Sequence, residues 1–224
     1  MAKLYFRYGA MGSSKTANAL MVRYNYMEKG QSVILLKPEV EDRDGKTCIK
    51  SRIGLDAECR SAEEFIKEAK EKWIPITEMR KGPYKQGSFP SCGIMEGNTS
   101  NIMNEIEELE KTSAIIIDEA QFLAKGEIDV LGTIVDMFHV SVICYGLRTD
   151  FMGNLFEGSK RLMEIADVIE EVPTICWCGK KAKFNARVHN GKIVRSGEQI
   201  MMGGNESYIS LCRKHYNSGE IKQD

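Results

Sequence analysis

The sequence predicts an α/β fold with a mostly parallel sheet and a small second domain toward the C-terminus. Three observations carry this. Short apolar runs alternate with segments of helical spacing over residues 3–167, the pattern of strands joined by crossover helices with both sheet faces covered. A glycine-bearing turn, GAMGSSKT at residues 9–16, joins the first apolar run to the first helical segment. From about Val168 the long helices stop, and cysteines, glycines and short alternating runs take over.

The elements follow in order. KLYFRY (3–8) reads as a strand, and KTANALMVRYNYMEKG (15–30) as a helix stopped by Gly30. SVILLK (32–37) has the length of a buried strand. SAEEFIKEAKEKW (61–73) opens with Ser-x-x-Glu, a capping-box signature, and continues with helical spacing. Residues 74–98 hold three of the five prolines and read as an irregular insertion or loop. NIMNEIEELEKT is helical, SAIIIDEA a strand ending in two acids, GEIDVLGTIVDMFH helical, VSVICYGL a strand and EGSKRLMEIAD helical. The expected organisation is an α/β domain over 1–168 with an insertion at about 56–112, a small domain over 169–217, and a tail over 218–224.

Composition narrows the function. Lysine and arginine number 31 against 32 aspartates and glutamates, so no basic surface for duplex nucleic acid is indicated. Seven cysteines in 224 residues do not resemble the even, dense framework of a small secreted domain. Lys3 and Arg7 interrupt the N-terminal region, and runs such as residues 114–117 are far too short to span a bilayer. The expectation is a soluble cytoplasmic protein with neither nucleic acid nor membrane as partner.

GAMGSSKT resembles the phosphate-binding pattern G-x-x-x-x-G-K-[ST] with Ser14 in place of the second glycine. In such a loop the amides of Gly9, Ala10, Met11, Gly12, Ser13 and Ser14 face phosphate oxygens, and the helix N-terminus adds positive potential. Lys15 then reaches the β- and γ-phosphates of a bound nucleotide, and the Thr16 hydroxyl ligates Mg²⁺. The alternative is a plain strand-to-helix turn. IIIDEAQFL supports the nucleotide reading, because three isoleucines make a buried strand whose end presents Asp118 and Glu119. Asp118 is the expected Mg²⁺-side acid, and Glu119 the group that deprotonates an attacking hydroxyl or water.

A metal site is expected in the small domain. Cys176 and Cys178 stand as C-x-C, 33 residues intervene, and Cys212 and His215 follow as C-x-x-H. Four such ligands in two close pairs suit a closed, structural tetrahedral Zn²⁺ site, and a short segment without its own core gains from that staple. The alternative is buried thiols and an unrelated histidine.

Together, GAMGSSKT, SRIGL, DEAQFL, CYGLRTDF, TICWCG, GEQIMMGGNESY and CRKHY resemble the zinc-containing thymidine kinases, with the enterobacterial form the nearest match. The stretches run in family order and span most of the chain outside 56–112. The resemblance implies transfer of the γ-phosphate of ATP to the 5′-hydroxyl of thymidine or deoxyuridine, with Glu119 as general base. It implies that Lys15, Thr16, Asp118 and the following Ala120 and Gln121 belong to the ATP and magnesium side, with Arg43 near the phosphates; a solvated loop charge is the alternative for Arg43. It implies a thymine pocket walled by Met11, Phe122, Leu147, Phe151 and Phe156. Phe151 carries most weight there, because it sits in a polar RTDFMGN stretch. The base itself is held by backbone groups of Gln199, Ile200, Met201, Met202 and Gly203, with Tyr208 beside them. The family also implies a homotetramer inhibited by thymidine triphosphate.

Two features depart from the family pattern. Ser14 replaces the glycine before the lysine, where a side chain restricts φ or crowds the loop. The 56–112 insertion is longer than in the enterobacterial relatives. Rival readings are a P-loop ATPase or nucleoside-binding regulator without the kinase step, and a zinc-ribbon interaction module on a nucleotide switch.

Overall fold

The computed structural model describes residues 1–41, 45, 47–81, 99–199 and 207–221, with side chains at 78–81, 99, 100 and 207 excepted. In chain order the first elements are β1 (Leu4–Tyr8), α1 (Lys15–Glu28), β2 (Val33–Lys37), β3 (Cys48–Lys50), β4 (Asp56–Glu58) and β5 (Arg60–Ser61). Next come α2 (Ala62–Glu68), a π-type turn (Ala69–Trp73), α3 (Ile74–Lys81) and α4 (Thr99–Lys111). β6 (Ala114–Ile117), α5 (Lys125–Phe138), β7 (Ser141–Gly146), α6 (Glu157–Ile165) and β8 (Val168–Glu171) complete the larger domain.

Its sheet has six strands in the order β5-β2-β6-β7-β1-β8, and every neighbouring pair is parallel. β6 lies in the middle, so AIII must be apolar on both faces, and all four residues are fully buried. The strand's period of two divides them. Ile115 and Ile117 face a cluster built from α2, α4, α5 and α6, including Phe65, Ile106, Leu131 and Leu162. Ala114 and Ile116 face Ala19 and Leu20 of α1 on the other side. Each buried isoleucine contributes about 1.5–3 kcal/mol.

The described residues of the 56–112 segment are part of this core and not an appendage. β5 pairs with β2, and Phe65, Trp73, Ile106 and Leu109 help cover one sheet face. Ser61 caps α2 as the sequence predicts, its Oγ accepting the Glu64 amide at 3.1 Å. The expected irregular stretch from residue 74 is helical through Lys81. Pro75 lacks an amide to donate backward, and the π-type turn falls directly before it. Packing carries the helix past that break: Trp73 is buried, meets Phe65 edge-on at 5.1 Å, and donates from Nε1 to Glu105 of α4 at 2.9 Å. Residues 82–98 lie outside the described residues.

β8 begins at the expected domain boundary of 168 and still belongs to the large sheet. β8 pairs with β1 through Glu171, so the sheet ends there. The small domain holds a hairpin of β9 (Thr174–Ile175) and β10 (Lys181–Ala182), then β11 (Phe184–His189), β12 (Lys192–Ile193), β13 (Ser207–Leu211) and α7 (Arg213–Ser218). β12, β11 and β13 form an antiparallel sheet. Among the described residues no helix is long and apolar enough to cross a membrane.

Candidate active site

Parallel strands deliver their following loops to one sheet edge, where ligands of α/β proteins collect. The phosphate-loop strand β1 and the acid-bearing strand β6 are separated only by β7. Their C-terminal ends therefore bring residues 9–16, Asp118, Glu119 and Leu147 to the same edge.

The loop itself is tightly made. Lys15 opens α1, is buried, and turns its Nζ back under the loop to the carbonyls of Gly9 (3.2 Å) and Ala10 (3.1 Å). Ser14 stands just before α1 with φ 59° and ψ 29°, and its side chain makes no capping bond. Glycine takes this left-handed conformation freely and serine at a cost of about 1–2 kcal/mol. The Ser14 side chain is exposed, so its departure from the motif strains the backbone and does not fill the loop. Ser14→Gly is expected to raise the melting temperature by roughly 2–4 °C, about 1 kcal/mol after the added freedom of the unfolded glycine. A thermal scan with no rise would show that this conformation costs serine nothing here.

Asp118 and Glu119 differ in environment. Asp118 is buried, and its Oδ1 has no hydrogen-bond partner. Burial pushes its carboxyl up to about 7; the neighbouring Glu119 charge adds to this, while the Thr16 hydroxyl and Lys15 pull it down. Burial also lowers Lys15, against the attraction of Glu119 and Asp118. A buried carboxylate oxygen left unpaired beside a threonine hydroxyl suits a Mg²⁺ arriving with nucleotide. The sign of the pH effect follows from the raised value. Between about pH 4 and about pH 7 the folded protein keeps a proton that the unfolded chain has lost, so this group lowers stability as pH rises through that window. Melting curves of nucleotide-free protein should show this fall, and Asp118→Asn should flatten it. Superimposable pH curves for the two proteins would remove Asp118 as its source.

Glu119 is half-buried and also left-handed, at φ 54°. Strain of this kind persists where surroundings over-determine it. Gln121 supplies the constraint: its Nε2 donates to Glu119 Oε2 at 2.7 Å, and its Oε1 accepts the Leu147 amide at 2.9 Å. Gly146 leaves room for this, since a Cβ there would sit 2.7 Å from Gln121 Oε1. Gln121 thus ties the Glu119 carboxylate to the Leu147 amide, and Ala120 is wholly buried.

The small domain clamps this edge from the other side. Asn185 of β11 accepts the Met11 amide at 2.8 Å and donates to the Thr149 carbonyl at 3.0 Å. Ser210 of β13 donates to the Met11 carbonyl, and Thr174 of β9 to the Gly12 carbonyl at 3.2 Å. Both polar backbone groups of Met11 are therefore held by the small domain. Sequence reasoning missed Asn185, Ser210 and Thr174, because single polar residues in short strands give no periodic signal.

The four metal-ligand candidates converge. The ligand atoms of Cys176, Cys178, Cys212 and His215 all lie within 4.8 Å of one another. A turn through Gly179 at φ 81°, closed by the Cys176 amide on the Lys180 carbonyl at 2.7 Å, lets the C-x-C pair face inward. Cys212 precedes the first turn of α7 and His215 lies within it, which places the C-x-x-H pair on one side. Cys176 Sγ lies 3.4 Å from His215 Nδ1, and Trp177 stacks on that ring at 4.2 Å. Three thiols and an imidazole are a donor set that holds a tetrahedral metal.

The residues expected on the acceptor side are described in part. Phe122 and Phe156 meet edge-on at 5.8 Å, with half-buried Leu147 on the same edge. Phe151, expected on a polar loop, is 1 % exposed; its carbonyl accepts from Tyr216 at 2.7 Å, and Arg187 lies over its ring. Gln199 donates to Asp150 at 2.9 Å, and Tyr208 is half-buried on β13. Arg43, Ile200, Met201, Met202 and Gly203 lie outside the described residues.

Comparison with known proteins agrees with this geometry. The family described as thymidine kinase matches residues 2–79 and 88–216. A protein named thymidine kinase from Streptococcus pyogenes serotype M3 (strain ATCC BAA-595 / MGAS315) is 40 % identical over 223 residues, 99 % of this chain and all of the relative. One from Haemophilus influenzae (strain 86-028NP) is 39 % identical over 217 residues, 96 % of each chain. With the family match covering nearly all of the chain and relatives of this name aligned end to end, the chain belongs to the thymidine kinase family.

Proposed function

We propose that this chain transfers the γ-phosphate of ATP to the 5′-hydroxyl of thymidine, with Glu119 taking the hydroxyl proton. The observation that carries the assignment of roles is the Gln121 amide, which fixes the Glu119 carboxylate beside Lys15 and Asp118. The 5′-oxygen forms its bond to the γ-phosphorus as the bond to the β,γ-bridging oxygen breaks, and ADP leaves. Lys15 gives up its loop carbonyls for phosphate oxygens, offsetting charge on the transferring group. Asp118 and Thr16 would hold the Mg²⁺ that comes with ATP, which supplies charge neutralisation on the phosphates. Most of the rate gain is positioning and electrostatics, since phosphoryl transfer asks little covalent chemistry of the protein.

Zn²⁺ is the metal the Cys₃His set favours, in a structural role with no open position. Phe122, Leu147 and Phe156 would wall the base, with Met11, Phe151, Tyr208 and the 199–203 stretch around it. Deoxyuridine, which differs from thymidine by a methyl group, would be a second acceptor. The family resemblance further supports a cytoplasmic homotetramer inhibited by thymidine triphosphate. The assay is direct: metal-loaded protein with Mg-ATP and thymidine should yield thymidine monophosphate and ADP in equal amounts. ADP without the monophosphate would replace the kinase reading with that of an ATPase.

A further inference from the structure

Arg187 is the largest fully buried side chain among the described residues, at 1 % exposed. It belongs to neither the metal cluster nor the phosphate loop. A buried guanidinium is costly unless its donors are used, and here they are used on one particular set of partners. Nε donates to the Tyr208 hydroxyl at 2.8 Å. Nη2 donates to the carbonyls of Glu198 at 3.0 Å and Gln199 at 3.4 Å. The flat face of the group lies over the Phe151 ring, with Cζ 3.8 Å from the centroid. Those partners come from three separate stretches of chain: the loop after β7, the run after β12, and β13. Gln199 adds its own link from that run to Asp150.

We infer that Arg187 is a positioning residue for the nucleoside, holding Phe151, Tyr208 and the Glu198–Gln199 carbonyls in one arrangement and so setting acceptor affinity. This rests on the thymidine kinase reading. The rigid fork and planar face suit arginine, and lysine reproduces neither. The bonds of Arg187 to Tyr208 and to the Glu198 and Gln199 carbonyls, and its stacking on Phe151, engage the acceptor side, whereas Asn185, two residues away on the same strand, holds the Met11 amide of the phosphate loop. Its loss should therefore weaken thymidine and spare ATP.

The test uses the full metal-loaded chain with Arg187→Met and Arg187→Lys. The KM for thymidine should rise by about tenfold or more in Arg187→Met, as expected for losing hydrogen bonds to a buried charge, and by less in Arg187→Lys. The KM for ATP should stay within about twofold in both, because uniform loss of folded protein changes neither KM. An unchanged thymidine KM, or equal rises for both substrates, overturns the inference. So does failure of both variants to fold, which assigns the arginine to the fold alone. Hydrogen exchange provides a readout without turnover: amides at 150–152, 198–199 and 208 should exchange faster in Arg187→Met, with residues 9–16 unchanged. If wild-type protein forms no thymidine monophosphate, the functional reading fails, and unchanged exchange at these amides would separately refute the hold assigned to Arg187.

Discussion

Glu119→Gln keeps the fold and ATP affinity and lowers kcat by about two to four orders of magnitude, the usual worth of a general base. The substitution is nearly isosteric, and the Gln121 Nε2 that donates to Glu119 Oε2 finds a carbonyl oxygen in the same place. The left-handed backbone at 119 is as strained for glutamine as for glutamate. What is lost is the ability to accept the 5′-hydroxyl proton as phosphorus–oxygen bonding develops. A fall in kcat with thymidine and ATP KM both near wild type locates the loss in the transition state. A kcat within about tenfold of wild type would move the base elsewhere, since no proton acceptor of ordinary strength is replaced so cheaply.

Removing the metal is expected to damage both substrates' sites together. Full-length protein should carry one metal ion per chain on Cys176, Cys178, Cys212 and His215, and metal analysis reads this directly. Stripping it, or substituting Cys212→Ser, should lower the melting temperature by on the order of 10 °C, because binding energy at such sites is folding energy. The small core beside the cluster, Ala182, Ala186, Leu211 and Tyr216, cannot replace that staple. The effect reaches the phosphate loop through Asn185, Ser210 and Thr174, which hold Met11 and Gly12. The KM for ATP should therefore rise along with that for thymidine, unlike the split expected at Arg187. Metal-free protein with unaltered ATP affinity would show that the clamp on Met11 forms without the metal.

Much of the fold is legible in the chain because burial writes itself into periodicity. The run AIII announces a central strand, and helical spacing announces α5 and α6. The Cys₃His cluster is legible because ligand chemistry needs particular side chains at close spacing. The helix over 74–81 is not, since Pro75 signals a break that Trp73 and Ile76 override by packing. The contacts of Gln121 with Leu147 and of Phe151 with Arg187 are not either, because they join stretches that are distant in sequence.

The amino-acid order by itself determined the strand-loop-helix at residues 9–16, the paired acids after β6, the Cys₃His group that could hold a metal and the family to which they point. Each is a local pattern, in which residues within a few positions of one another do the chemistry. The tertiary structure alone decided that Ser14 occupies a left-handed conformation, that Phe65, Trp73, Ile106 and Leu109 build one face of the core, and that Asn185, Ser210 and Thr174 hold the phosphate loop from the small domain. Those outcomes depend on which surfaces exclude water together, and that is settled only when elements far apart in the chain pack.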